Sequence, residues 1–545
     1  MDRGRGKRRA MRAALAAGLL TLSAFAAAGD YYVDARLGND LSGNGSPQAP
    51  WRTLTRALQS VQPPSSPTEG GSSLHVAPGL YDPALGERFP LRVPPGLSIV
   101  GAGRDVTTVA GISDVRRGPL PLPEMLLEYS AAAWTPTAIY QPTTVLTGLG
   151  LTKARIAVAV RGVGRTSPRP RLHALRLQSN NIGVQMLRAA PDIVDCEMVE
   201  NQNGLDLGWT EPDLPPPTIV SCRFEKNVNG INAPNAQVSV IERCLFRRNQ
   251  VGMMIGAVGQ IIVRPILRGD LFTENVIGIW SSGVIGGTAH AVVTHCTFAD
   301  NQIGFLNSST TTLGLSLPRI ANTILWKNRQ ADLDGVTQDS IEWSIFETAR
   351  NANPMPQAGQ RNNVTVDPLF RDQERGDYHL LPQSPALDGG TFDAPEIPTV
   401  DWDGEARVTG TPDLGADEWN DFLKVEGTSM PGSSVLLRLH SPRDPLVPCV
   451  VALSLHPAPG IAVDRRTIPL CPDTLFYRSL TAGNFFDRPI SLLSEAGRSE
   501  QNLALPRGTA LYGITVYSAF ISLGPSAPSF IRSISNRLEI RMGPR

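Results

Sequence analysis

Carboxylates and thiols are the residues of this chain whose types and spacing could do chemistry. Acids converging on one point could move a proton or hold calcium. Cysteines could ligate a metal or pair as disulfides. The loop Asp401-Trp402-Asp403-Gly404-Glu405 echoes a calcium loop, yet the twelfth position of that count is Pro412, where a bidentate glutamate is required. The other reading of the loop is a plain Asp/Gly turn. Calcium is the only cofactor the sequence suggests, and no metal-ligand set is assigned. No Asp-Asp pair occurs anywhere in the chain. Of the six cysteines, Cys196, Cys222, Cys244 and Cys296 share one phase of a repeat. They are expected to form an interior column, since metal ligands would have to meet at a point. Neighbouring pairs, Cys196 with Cys222 or Cys222 with Cys244, are a disulfide alternative. Cys449 and Cys471, the two beyond residue 420, are expected to form a bridge if the chain is exported.

The repeat is what must position these groups. Seven segments come into phase, beginning at Leu175, Cys196, Cys222, Cys244, Asp270, Cys296 and Thr323. An apolar residue follows two later, Asn five later, and Gly eight later in six of the seven. The asparagines are Asn180, Asn201, Asn227, Asn249, Asn275, Asn301 and Asn328, spaced 21 to 27 residues apart. Helical repeats need longer periods and a 3.6-residue pattern, whereas period two runs on either side of each Asn-to-Gly corner. Each repeat therefore reads as one coil of three short parallel strands, stacked about 4.8 Å apart. Phe224, Phe246, Phe272 and Phe298 are expected to stack inside, with Lys226 and Arg248 facing out. The asparagine amides are expected to form a structural ladder that satisfies the corner backbone. The corner glycine is expected to supply a conformation that side chains resist.

Two departures from the repeat stand out. Asp270 takes a cysteine position, where an inward carboxylate needs a partner such as Arg268 or His295; a local bulge turning it to solvent is the favoured expectation. The outward column two residues after each glycine reads Gln185, Asp206, Asn232, Met254, Trp280 and Leu306. Trp280 between Met254 and Leu306 exposes an apolar strip that something should cover, either a sugar ring or another part of this chain. Asp206, Asn232, Met254 and Trp280 are the candidate substrate-binding residues. The outward position before each Asn, from Glu200 and Lys226 to Lys327, is of mixed sign and reads as a solvated face.

These ladders resemble the right-handed parallel β-helix of the pectate-lyase-like superfamily over roughly Tyr31 to Trp419. The opening YYVDARLGNDLSGNGSPQAPWRTLTRAL resembles bacterial secreted β-helix proteins of the DUF1565 type. Trp51, Leu54, Ala57, Leu58 and Val61 sit there at helical spacing, which suits a helix capping the end of the solenoid. DPLF, GDYHL, SPALDGG, DWDGEAR and DLGADEW resemble the closing segment of bacterial surface proteins called choice-of-anchor Q. The resemblance implies display outside the cell and no defined chemistry. Superfamily lyases and hydrolases need acids converging from neighbouring coils, and the missing Asp-Asp pair tells against a polygalacturonase-like mechanism.

The 545 residues are 41% hydrophobic and 18% charged, with 51 Gly and 46 Pro, a balance that suits short strands and turns. Residues 1–28 read as a signal peptide, with an uncleaved anchor as the alternative. Without them 44 basic residues face 49 acidic ones, a net charge of −5, and no basic stripe suits a nucleic acid. The expected organisation is a signal peptide at 1–28, a capped parallel β-helix at 29–419 and a β-sandwich at 420–545, an all-β chain with no transmembrane helix after the leader. The expected role is a secreted or cell-surface binding or structural module that engages a polysaccharide or a cell-envelope component. A polysaccharide lyase or glycoside hydrolase acting on an acidic polysaccharide is the alternative.

Overall fold

Short runs of alternating apolar residues become strands here, and the residues between them become corners. The computed structural model describes residues 29–61, 71–111, 125–130, 144–163, 168–208, 216–236, 238–309, 314–381, 383–405, 407, 411–419, 422–441, 444–463, 466–495, 497–525, 529–535 and 537–543. The expected signal peptide lies outside them. The chain folds as two compact units, Met1–Cys196 and Glu197–Arg545.

In the first unit, successive strands join three different parallel sheets in turn, so the backbone winds as a solenoid. One sheet runs from Asp30–Val33 through Ser72–Val76 and Leu97–Gly101 to Asp192–Val194; a second runs from Leu91–Arg92 to Ile182–Leu187, and a third from Gly79–Tyr81 to Arg176–Gln178. The helix Leu54–Ser60 packs on the first strands of two of these sheets and buries Leu54 and Ala57. It thereby covers edges that would otherwise be open to pairing. Its free N–H groups are met by Thr53, which caps Arg56 N, and by the Glu87 carboxylate, which accepts from Leu54 N and Thr55 N at 2.7 and 2.8 Å.

The second unit is also wound from parallel strands, in more regular coils. In the sheet from Glu197–Val199 to Ile345–Phe346, the register aligns Met198, Phe224, Phe246, Phe272, Phe298 and Leu325. The four phenylalanine rings stack at 4.7, 4.4 and 4.6 Å with interplanar angles of 5° or less. Beside them runs the amide ladder. Asn201, Asn227, Asn249, Asn275 and Asn301 each send their backbone N–H and Nδ2 to the Oδ1 of the next asparagine, at 2.8–3.1 Å. Asn328 ends the series on Asp332 Oδ1. In the first unit Asn180 does the same work, taking Ala154 N on Oδ1 and donating to Leu151 O.

The corner glycines correct the sequence reading. Gly204, Gly230, Gly252, Gly278 and Gly304 do not have positive φ; the left-handed residue is the one before each asparagine. Glu200, Lys226, Arg248, Glu274, Asp300 and Lys327 hold φ between +53° and +60°. The glycines are required by space. A Cβ at Gly230 would lie 2.4 Å from Gly252 O and 3.0 Å from the Phe246 ring.

Asp270 is a second correction, because no bulge turns it outward. It is fully buried, with Oδ1 accepting from Cys244 N at 2.8 Å and Oδ2 unpartnered. Neither expected side chain bonds it: Arg268 Nε pairs with Glu242 at 2.7 Å, and His295 bonds Thr294 and Asn322. Burial holds the Asp270 carboxyl well above its ordinary pKa and keeps His295 neutral. The column continues as a second ladder, since Cys296 N, Thr323 N and Ser344 N donate to Thr323 Oγ1, Ser344 Oγ and Asn363 Oδ1.

After the last coils the chain folds back on the outer face of the phenylalanine sheet. Phe370, Tyr378, Leu380, Ala386 and Leu414 pack with Leu271, Ala299, Ile324 and Trp326. Ala416 N donates to Thr297 Oγ1, and Gly415 N to Asn322 O. Arg407, fully buried, fixes this segment by donating to Gly415 O and Asp417 O and pairing with Glu418 at 3.3 Å. Asp300 is consequently not part of a solvated face, because Gln373 Nε2 and Tyr378 OH both donate to it.

Beyond residue 422 the strands are antiparallel. Phe422–Glu426, Ser434–His440 and Arg498–Ala504 form one sheet; Ile490–Leu492, Pro448–Ser454, Thr515–Leu523, Ile531–Ile534 and Leu538–Arg541 form another. Leu437, Leu439 and Leu503 of the first meet Val451, Leu453 and Phe520 of the second in one core, which makes this a sandwich. The expected Cys449–Cys471 bridge is absent, and both thiols are free. Cys449 points into the core between the sheets, its Sγ 3.1 Å from Ser491 Oγ. Cys471 follows Leu470, which packs with Ala452 and Ala519 on the opposite face of the second sheet.

Candidate functional site

The candidate binding column is built by register. In the sheet containing Asn203–Leu207, Asn229–Pro234, Val251–Val258, Ile277–Val284 and Ile303–Ser309, residues 206, 232, 254, 280 and 306 are consecutive partners. The structure thus brings Asp206, Asn232, Met254, Trp280 and Leu306 into one half-buried outward row. Gln185 belongs to the first unit, where it pairs with Ala159 and its Oε1 accepts from Arg161. Asn232 Nδ2 donates to Asp206 Oδ1 at 3.1 Å, and the Trp280 indole N–H donates to Ser308 Oγ at 2.8 Å, which fixes the ring. Val251, Ile277 and Ile303 form the row on one side of the column. Gly256, Ser282 and Ser308 form the row on the other, so the indole has small neighbours there. Chemically the row runs from a hydrogen-bonded acid–amide pair to an apolar aromatic patch, the mixture typical of ligand sites.

A second constellation lies in the closing segment, and sequence reasoning missed it. His379, Asp403 and Asp417 bring one ligand-capable atom each within 4.8 Å of one another. The strand Asp377–Leu380 supplies His379, and the Asp401 turn supplies Asp403. That turn is an Asx turn: Asp401 Oδ1 accepts from Asp403 N and Glu405 N, and Oδ2 from Glu418 N. Asp401 is directed at backbone, and burial pushes it up to about 7 despite nearby Arg407. Burial also raises Asp417, against the N–H of Leu380 that its Oδ2 accepts at 2.8 Å. His379 is held above its ordinary value by the carboxylates of Asp377, Asp417 and Asp403, which outweigh its burial. The signal available in the sequence was the order of GDYHL, DWDGEAR and DLGADEW, each of which contributes one member.

No described helix is long and apolar enough to cross a membrane. No curated protein matches the chain. Residues 36–280 match the family described as "Protein of unknown function (DUF1565)", a stretch that ends at Trp280 and leaves the closing segment and the sandwich outside it.

Proposed function

We propose that this chain is an exported β-solenoid protein that binds a polysaccharide or cell-envelope component on the row Asp206, Asn232, Met254, Trp280 and Leu306. One observation carries the reading: Trp280 stands outward in the middle of a sheet face, its indole N–H tied to Ser308 and its flanks set by Met254 and Leu306. A ring held in this way can stack on the apolar face of a sugar with little entropy left to lose. Asn232 and Asp206, two and three coils away, supply acceptors and donors for hydroxyl groups along the same line. Export would follow from residues 1–28, whose cleavage would leave an N-terminus near Gly29.

The test is a screen of neutral and acidic polysaccharides by glycan array and calorimetry, with Trp280→Ala alongside. A specific glycan whose Kd weakens tenfold or more in the variant, at unchanged melting temperature, supports the reading. Equal binding by the variant, or no binding to any glycan or envelope fraction, sinks it. Release of unsaturated or reducing ends during the same incubations would replace binding by catalysis.

A further inference from the structure

Three sequence motifs that the binding row does not use meet at one point of the closing segment. His379 Nε2 lies 2.7 Å from Asp403 Oδ2, and its Nδ1 is hydrogen-bonded to Asp377 Oδ1. Metal-binding histidines are commonly arranged this way, one ring nitrogen turned to the metal and the other bonded to an orienting carboxylate. Asp417 completes the triangle. Its Oδ2 accepts from Leu380 N, and among the described residues its Oδ1 takes no hydrogen bond. Asp417 and His379 line a cavity of about 50 Å³ together with Trp402, Tyr378 and Thr297. Such a space can hold an ion with a water. Around the imidazole stand the three carboxylates of Asp377, Asp403 and Asp417; Arg371 pairs with Asp377 at 3.5 Å, and the buried Arg407 is committed to Glu418 and to backbone carbonyls. The point therefore carries excess negative charge that a cation would neutralise.

We propose that His379, Asp403 and Asp417 form a site for one divalent transition cation of the zinc or manganese kind, with Asp377 orienting the imidazole. The cation takes the place of the proton shared by His379 Nε2 and Asp403, so binding releases that proton to solvent. A nitrogen ligand beside two carboxylates favours these metals over calcium, which prefers six to eight oxygens. Bound there, the metal would tie the strand Asp377–Leu380 to the two loops that follow it.

The experiment uses the full chain after dialysis against a chelator, titrated with ZnCl2, MnCl2 and CaCl2 by calorimetry, with melting temperature as a second readout. One equivalent of zinc or manganese is expected to bind more tightly than calcium and to raise the melting temperature by about 3 °C or more at a hundredfold excess over Kd. His379→Gln and Asp403→Asn are expected to weaken binding at least tenfold, and Asp377→Asn by about tenfold. His75→Gln, at a histidine elsewhere on the surface, should leave binding unchanged. Cobalt substitution gives a direct check, since visible ligand-field bands should appear in the parent chain and be lost in His379→Gln. If His379→Gln does not fold, Asp403→Asn, on an exposed loop, decides the matter. Absence of saturable zinc and manganese binding, or affinity unchanged in the folded variants, overturns the proposal and leaves the triad an ion-paired clasp.

Discussion

At residue 230 a methyl group has nowhere to go. The carbonyl of Gly252 and the ring of Phe246 would both have to retreat, and both are pinned by the coils above and below. Gly230→Ala is expected to destabilise by about 2 kcal/mol or more, the range for overpacking a closed interior. Lys226, four residues earlier, is the opposite case, because its φ of +56° is one that glycine accepts freely. Lys226→Gly is expected to leave stability unchanged or raise it slightly. Denaturant midpoints of the two variants check the pair, and a reversed ranking would return the conformational strain to the glycine. Asp270 gives a residue-level prediction in pH. Its folded carboxyl keeps a proton that the unfolded chain loses near pH 4, so its contribution to stability is complete below that value and is lost as pH rises toward the folded pKa. The slope is about 1.4 kcal/mol per pH unit across that window. Glu242 and Arg268 neutralise each other beside it, while Cys296 and His295 are uncharged neighbours. Asp270→Asn keeps the acceptor for Cys244 N and cannot ionise. The difference in unfolding free energy between parent and variant should therefore shift as pH rises above about 4. Parallel curves would mean that the carboxyl is not held protonated.

The element that repeats is a coil with two matched corners, and this explains what the sequence disclosed. Each corner is a left-handed residue followed by a side chain that hydrogen-bonds nearby backbone. One corner is Lys226 then Asn227; the other is Arg243 then Cys244, or His295 then Cys296. Asparagine at the first corner is invariant through seven copies, so its ladder was legible from period alone. The second corner tolerates Cys, Asp, Thr, Ser and Asn in succession. There Asp, Thr, Ser and Asn accept from the N–H of the preceding coil while the Cys244 and Cys296 thiols donate to carbonyls, so the shared role is bonding the corner backbone rather than residue type, and Asp270 read as an intruder when it is a member. The closing segment shows the other limit. Its residues do not repeat, and burial of Arg407 or convergence of His379 on Asp417 depends on where the chain folds back, which no local pattern encodes. Hydrophobic alternation likewise gave the sandwich strands. A count of two cysteines could not tell that both thiols stay free.

At the scale of the whole molecule, the antiparallel strands from Phe422–Glu426 onward close their own core. Leu423, Val435, Leu437, Cys449, Val451, Phe486, Leu503, Val516, Phe520 and Ile540 pack with one another between the sheets, and a second cluster around Leu470 and Ile534 covers the back of one sheet. Polar groups are also met from within this region. Asp444, almost fully buried, accepts from Ser441, Ser533 and Arg532, and Arg466 donates to the carbonyls of Ile531 and Arg532. A region with a closed core and internal partners for its buried charges meets the physical requirements of a domain. Residues 420–545 expressed alone are therefore expected to melt cooperatively and to show near-ultraviolet dichroism from Phe486, Phe520 and Tyr517. Cys449 and Cys471 should both titrate as thiols once the fragment is unfolded without reductant. A fragment that fails to melt cooperatively would mean that this core needs the solenoid coils to form, whereas the loss of both titratable thiols would place a disulfide where the structure has two free cysteines.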